Sequence, residues 1–173
     1  MRRLGIFVAG MMLAGCATTP FQNPQATAEL KNAKGEVVGI ATLWEDEGGV
    51  RFYADVRNLP AGKHGLHLHA VGKCDPPEFT TAGGHFNPEG KKHGLANPEG
   101  PHAGDLPSLD VTANGTGQLH YLVRRVTLGT GPASLLDADG TAVVIHANPD
   151  DNITDPTGNS GGRIACGVIG KVS

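Results

Sequence analysis

The sequence is poor in aromatic residues and has no basic run longer than two residues. Phe, Trp and Tyr together make up 5% of the 173 residues, which leaves little surface on which nucleic-acid bases could stack. The 14 Lys and Arg residues are outnumbered by 17 Asp and Glu, and the formal net charge is −3. These shortages predict no nucleic-acid partner.

Long apolar runs are also missing. The one near the start, in "MRRLGIFVAGMMLAGC", is too short for a permanent transmembrane helix. Two arginines precede it and small residues follow, as in a secretory signal peptide. Residues 13–16 resemble a bacterial lipobox, so we expect residues 1–15 to be a lipoprotein signal peptide and Cys16 to be lipidated. The alternative is an ordinary signal peptide that happens to contain a cysteine.

This leader predicts the location of the protein. We expect a periplasmic chain anchored by Cys16, with residues 16–26 as the lipidated cysteine and its flexible tether. Ala17 in place of an aspartate favours the outer membrane, by resemblance to other lipoproteins. Loss of Arg2 and Arg3 with the leader would make the net charge about −5.

Only three cysteines are present, and none belongs to a CxxC pair. If Cys16 is lipidated, Cys74 and Cys166 remain. An exported chain can keep a disulfide, and a bond between these two would close a loop of about 90 residues, worth about 4–5 kcal/mol of loop entropy. The alternative is two thiolate metal ligands, against which their isolation argues.

Helical periodicity with capping residues is absent, whereas short alternating segments recur from about residue 27 onward. Asn114 and Gly115 separate two of them, a strong hairpin signal. With 26 glycines and 12 prolines, the composition is typical of an all-β domain with many turns. We predict one domain over residues 27–173, an eight-stranded antiparallel Greek-key barrel or sandwich of immunoglobulin-like type. The main predicted strands are 36–45, 50–59, 141–147 and 163–170.

Two segments are too long for turns, residues 71–107 and 147–162. Loops of this length in a small domain are usually functional or disordered. His85, His93, His102 and Asp105 all lie in the first. Three imidazoles and one carboxylate form a closed ligand set suited to tetrahedral zinc, whereas a loop that is merely polar favours Lys, Glu and Ser.

The stretch "HGLHLH" contains three more histidines. In a strand His67 and His69 share one face, about 7 Å apart along the chain, with Leu66 and Leu68 on the other. An isolated pair of this kind is more often a polar outer face than a metal site. His64 has the opposite parity and is expected to be a hydrogen-bonded structural residue. His146, at the end of a strand, adds a third imidazole, and such a set suits copper or zinc.

Taken together, the motifs "HGLHLH", "GGHFNP", "KKHG", "GPHAGDLP", "VVIHANPDD" and "GNSGGRIACGVIG" resemble those of bacterial copper/zinc superoxide dismutases over about residues 28–170. The resemblance implies one copper and one zinc per chain. Copper would be bound by His67, His69, His85 and His146. Zinc would be bound by His85, His93, His102 and Asp105, with His85 as the bridge.

The resemblance also assigns roles beyond the metal ligands. Asp150 would accept hydrogen bonds from His67 and His93 and so orient both rings. Cys74 and Cys166 would form the intrasubunit disulfide. Arg163 and His85 would be the catalytic residues: Arg163 orients the superoxide anion, and His85 takes up and returns a proton. The products would be dioxygen and hydrogen peroxide.

Three points stay open at this level. Lys73, Lys91 and Lys92 could form a positive funnel for the anionic substrate, because residues 147–162 contain no lysine. A homodimer and a monomer are both possible. One alternative is a periplasmic protein that holds copper or zinc without turnover, which would need the metal ligands but not Arg163. Another is a β-sandwich interaction module whose loops are held by metal, which would need only the zinc ligands.

Overall fold

The alternation of apolar and polar residues determines the strands, as β3 (Gly49–Val56) shows. In the computed structural model, which describes residues 23–172, Val50, Phe52, Ala54 and Val56 are buried in the main core. Arg51 and Asp55, on the other face, are exposed. A half-buried antiparallel strand with this period must place one set of side chains inside.

Ten strands form within residues 23–172, together with a single 3₁₀ turn at Thr80–Ala82. Besides β3 they are β1 (Ala26–Asn32), β2 (Val37–Asp46), β4 (Gly62–His64), β5 (Leu66–His69), β6 (Leu109–Val111), β7 (Gly117–Val123), β8 (Ala142–His146), β9 (Arg163–Val168) and β10 (Gly170–Lys171). β6 and β7 form the hairpin predicted at Asn114 and Gly115, and Gly115 adopts a φ of 81° there.

All paired strands are antiparallel, in the order β4-β6-β7-β3-β2-β1-β9-β8-β5. β4 and β5 are one run interrupted at Gly65: its first half pairs with β6 and its second half with β8, which nearly closes the sheet into a barrel. β9 and β10 likewise both pair with β1. Counted as continuous runs, these are the eight strands predicted, and the connections from β3 to β4 and from β7 to β8 cross the barrel as in a Greek key. The predicted fold is confirmed.

Both predicted long loops are present. One joins β5 to β6 and the other, residues 147–162, joins β8 to β9. A disulfide between Cys74 and Cys166, with the Cα atoms 5.6 Å apart, ties the first loop to β9. Phe79 and Ala82 of that loop pack with Ala142, Val144 and Cys166 in a second, small core outside the barrel. The predicted disulfide is confirmed, and it fixes the loop that contains the zinc-type residues.

The first strand begins near residue 27, where we expect the domain to start. β1 begins at Ala26, the last residue of the predicted tether, and the Gln25 amide already donates to Leu43 O. Residues 1–22, with the predicted signal peptide and Cys16, lie outside the described part of the chain. Within residues 23–172 no helix has the length and apolarity needed to cross a membrane.

Candidate metal centre

Strand β5 places its two alternating histidines away from the barrel core. Leu66 and Leu68 are buried in the main core. His67 and His69 point to the opposite face, yet they are only 0% and 1% exposed, because the two long loops cover them. The pair is therefore not a solvent-facing polar surface. Buried imidazoles need partners, and the partners decide what the site can bind.

The structure brings four histidines together at the first site. The ligand atoms of His67, His69, His85 and His146 lie within 4.8 Å of one another. Each ring has one nitrogen in a hydrogen-bonding contact: His67 Nε2 with Asp150, His69 Nδ1 with Gly83 O, His146 Nδ1 with Gly161 O and His85 Nδ1 with Asp105. The second nitrogen of every ring is buried and has no hydrogen-bond partner: Nδ1 of His67 and Nε2 of His69, His85 and His146.

Four unpaired nitrogens at one point are costly unless a cation accepts their lone pairs. Burial lowers the pKa of His67 to about 3, of His69 to about 2 and of His146 to about 4. The three rings are therefore neutral at pH 7, as metal ligands must be. An all-imidazole donor set of this kind fits copper.

The zinc-type residues converge on one carboxylate oxygen. Asp105 Oδ1 lies 3.0 Å from His85 Nδ1, 3.0 Å from His93 Nδ1 and 3.4 Å from His102 Nδ1. The other oxygen of Asp105 accepts the backbone N–H of Gly94 and of His102, which fixes the carboxylate. Three imidazole nitrogens around one carboxylate oxygen fit tetrahedral zinc.

His67 also comes within 4.8 Å of His85, His93 and Asp105. Its Nε2 is held by Asp150, and its Nδ1 is the unpaired atom that belongs to the first group. His102 places Nδ1 3.4 Å from both Asp105 Oδ1 and His85 Nδ1. The geometry therefore favours His102 as the fourth member of the second group.

His85 belongs to both groups. Its Nδ1 faces Asp105, and its Nε2 is one of the four unpaired nitrogens of the first group. Asp150 also contacts both groups: its two oxygens accept from His67 Nε2 at 2.5 Å and His93 Nε2 at 3.0 Å. Burial opposes the ionisation of Asp150, but these bonds and the Asn152 amide outweigh it and keep the pKa of Asp150 below its usual range.

Arg163 stands at the mouth of the first site. A cavity of about 670 Å³ is lined by His69, His85 and His146 on one side and by Arg163, Pro156, Thr157 and Asn159 among others. The two terminal nitrogens of Arg163 donate to Phe79 O and Gly83 O. Burial lowers the pKa of the guanidinium, but arginine stays charged in proteins, so a fixed positive charge faces the cavity.

Two further histidines lie outside both groups, and His64 has the structural role expected of it. His64 is buried and its ring nitrogens contact His146 O at 2.8 Å and Pro60 O at 2.9 Å, so it joins two chain segments. His120 lies exposed on β7 with its ring 4.3 Å from that of Tyr53.

Sequence reasoning missed the backbone parts of the site. Gly83 O contacts His69 and accepts from Arg163, and a carbonyl gives no sequence signal. Gly158 adopts a φ of +60°, and a Cβ there would lie 2.0 Å from Asp150 Oδ1 and 2.5 Å from His93 Nε2. The glycine therefore leaves room for the bond between Asp150 and His93.

Comparison with known proteins identifies the family. The sequence model described as copper/zinc superoxide dismutase (SODC) matches residues 37–169. Superoxide dismutase (Cu-Zn) 2 of Aquifex aeolicus is 47% identical over 171 residues, which cover 98% of this chain and 99% of that protein. The chain belongs to the copper/zinc superoxide dismutase family.

Solved structures agree with this membership. A superoxide dismutase-like protein from Bacillus subtilis has a TM-score of 0.79 and 39% identity, covering 82% of this chain and 96% of that one. The copper/zinc superoxide dismutase of Brucella abortus has a TM-score of 0.67 and 29% identity, covering 83% and 99%. The predicted family, the enzyme class of superoxide dismutase and the use of copper and zinc are confirmed.

Proposed function

We propose that this protein dismutes superoxide to dioxygen and hydrogen peroxide at a copper–zinc centre bridged by His85. The observation that supports this most strongly is the shared ring of His85: one nitrogen belongs to an all-imidazole group and the other to a group with a carboxylate. Two different donor sets joined by one imidazole suit two different cations.

The unpaired atoms support a specific set of copper ligands. Copper would be held by Nδ1 of His67 and by Nε2 of His69, His85 and His146. Zinc would be held by Nδ1 of His85, His93 and His102 and by Oδ1 of Asp105. The hydrogen bonds on the opposite nitrogens of His67 and His69, to Asp150 and Gly83 O, fix their tautomers and ring orientations.

Copper, when bound, supplies the reversible one-electron couple that superoxide needs to be both oxidised and reduced. The chain supplies the rest. Arg163, anchored on Phe79 O and Gly83 O, attracts and orients the anion in the cavity. His85 Nε2 is the atom that would take up a proton and deliver it, and the zinc-side contacts of Nδ1 keep the ring in place meanwhile.

We further propose a periplasmic lipoprotein anchored to the outer membrane through Cys16. The support is the layout of residues 1–16 and the Cys74–Cys166 disulfide, since disulfides persist in oxidising compartments. Cys16→Ser is expected to abolish the incorporation of labelled fatty acid that the wild type shows. Label retained in the variant would show that Cys16 is not the lipidated residue.

The experiment for the activity combines metal analysis with a superoxide-dismutation assay on the recombinant protein. About one copper and one zinc per chain with activity is the expected result. Metal binding at that ratio without activity would instead indicate a copper- and zinc-holding protein. His120→Ala serves as a control variant, because it removes an exposed histidine outside the centre. It is expected to have the metal content and activity of the wild type.

A further inference from the structure

Asp155 connects the loop of residues 147–162 to the zinc-type loop. Its Oδ1 accepts the backbone N–H of His93 at 2.8 Å and lies 3.7 Å from His102 Nε2. Its Oδ2 lies 3.3 Å from Lys92 Nζ. One carboxylate therefore touches two of the three histidines of the second group, although it is not a member of that group.

Of these two contacts, the one to His93 involves its backbone, and the one to His102 lies on the side of the ring that faces away from the centre. His93 and His102 both turn Nδ1 towards Asp105, so their Nε2 atoms point away from the centre. His93 Nε2 bonds to Asp150, which orients that ring. Asp155 Oδ1 lies 3.7 Å from His102 Nε2, so its negative charge faces the outer nitrogen of that ring, at a longer distance than the 3.0 Å bond between Asp150 and His93. When Nδ1 of His102 is a ligand, Nε2 carries the proton and faces this negative charge.

A plain surface ion pair between Asp155 and Lys92 would be the simpler explanation. That pair is well exposed, with side-chain exposures of 36% for Asp155 and 53% for Lys92, and such pairs contribute little. By contrast, His93 is fully buried and His102 is 6% exposed, so the contacts to the histidines lie where solvent screens them less.

We propose that Asp155 is a positioning residue of the zinc centre, which orients the His102 ring and fixes the His93 backbone so that zinc is retained. The role of Asp155 rests on the proposed function in one respect, which is the location of zinc at His85, His93, His102 and Asp105. Carboxylates that hold a ligating histidine from outside typically contribute 10- to 100-fold to metal affinity.

The test measures zinc affinity of the full chain with a competing chromogenic chelator, and Co(II) absorption after Co(II) replaces zinc. Asp155→Ala is expected to weaken zinc binding about 10- to 100-fold and to change the Co(II) spectrum. Asp155→Asn keeps an oxygen for the His93 amide but not the charge. Its zinc affinity should lie between those of the wild type and Asp155→Ala. Lys92→Met, the control for the ion pair, should change the affinity less than about threefold.

The proposal would be overturned if Asp155→Ala had the zinc affinity and the Co(II) spectrum of the wild type. It would also be overturned if Lys92→Met lost as much zinc affinity as Asp155→Ala. Circular dichroism of the metal-free variants checks folding, and Asp155→Asn serves if the alanine variant is unfolded. A wild type without dismutase activity would refute the proposed function but not the role of Asp155, because zinc affinity is read independently of turnover.

Discussion

His85 and Asp105 approach each other at 3.0 Å, with Nδ1 of the ring facing Oδ1 of the carboxylate. The contact fixes the ring so that Nε2 points into the group formed with His67, His69 and His146. The ring is buried between the two groups. Its orientation as a ligand in one site therefore depends on its contacts in the other. The two metal sites are therefore expected to be coupled.

Removal of the Asp150 carboxylate tests whether both metal sites depend on it. Asp150→Ala removes the acceptor of His67 Nε2 and His93 Nε2, one ring from each site. We expect the affinities for copper and for zinc both to fall about 10- to 100-fold, measured by chelator competition. Asp110→Ala, which removes an exposed carboxylate paired with Lys63, is the control and should change neither. A loss at one metal alone would contradict the shared role.

Substitution of Gly158 tests whether this glycine leaves the room that the Asp150 carboxylate needs. Gly158→Ala adds a methyl group 2.0 Å from Asp150 Oδ1, at a φ of +60° that side chains rarely adopt. We expect at least a tenfold loss of zinc affinity, because Asp150 must move away from His93. In the same loop a Cβ at Gly162 would meet nothing within 4 Å, so Gly162→Ala is the matched control. Equal behaviour of the two variants would argue against the proposed packing.

The disulfide is expected to stabilise the chain chiefly by restricting its unfolded state. Residues 74 and 166 are 92 positions apart, so the closed loop is long. The double variant Cys74→Ser, Cys166→Ser should lose about 4 to 5 kcal/mol of unfolding free energy by loop entropy. Denaturant unfolding of the oxidised wild type and the variant measures this. A difference below about 1 kcal/mol would show that the loop is held by its other contacts.

Arg163 is expected to act on the substrate and not on the metals. Arg163→Ala should lower kcat/KM about tenfold or more and leave copper and zinc content unchanged, because the guanidinium contacts carbonyl oxygens and no metal-site side chain. The wild-type rate should fall from low to moderate ionic strength, and the variant should show a weaker dependence. Arg57→Ala removes an exposed cation outside the cavity and is the control. A wild-type rate that is flat or rises with salt would contradict steering.

Strand parity was enough to predict which histidines of "HGLHLH" share one face of the strand. A period of two separates His67 and His69 from Leu66 and Leu68, and the structure shows that separation. His146 joins them because β8 pairs with β5, with Val144 opposite His67. Residue spacing does not reveal that pairing, and His85 as the fourth member could be expected only from the resemblance to a family.

The irregular loops limited the rest of the prediction. The roles of Gly83 O, Gly158 and Asp155 depend on where the backbone of two long loops runs, and side-chain periodicity says nothing about that path. The splitting of one strand at Gly65 and the two-residue strand β10 were likewise not predicted. They arise from local pairing to different neighbours and do not change the barrel.

Electron paramagnetic resonance of the protein with Cu(II) at the first site and Co(II) in place of zinc tests the bridge by His85 most directly. An imidazole bound to both ions through its two nitrogens transmits magnetic exchange, so the account predicts a strongly reduced Cu(II) signal in the wild type. In His85→Ala, loaded with the same ions, the Cu(II) signal should persist. A full Cu(II) signal in the doubly loaded wild type would contradict the bridge.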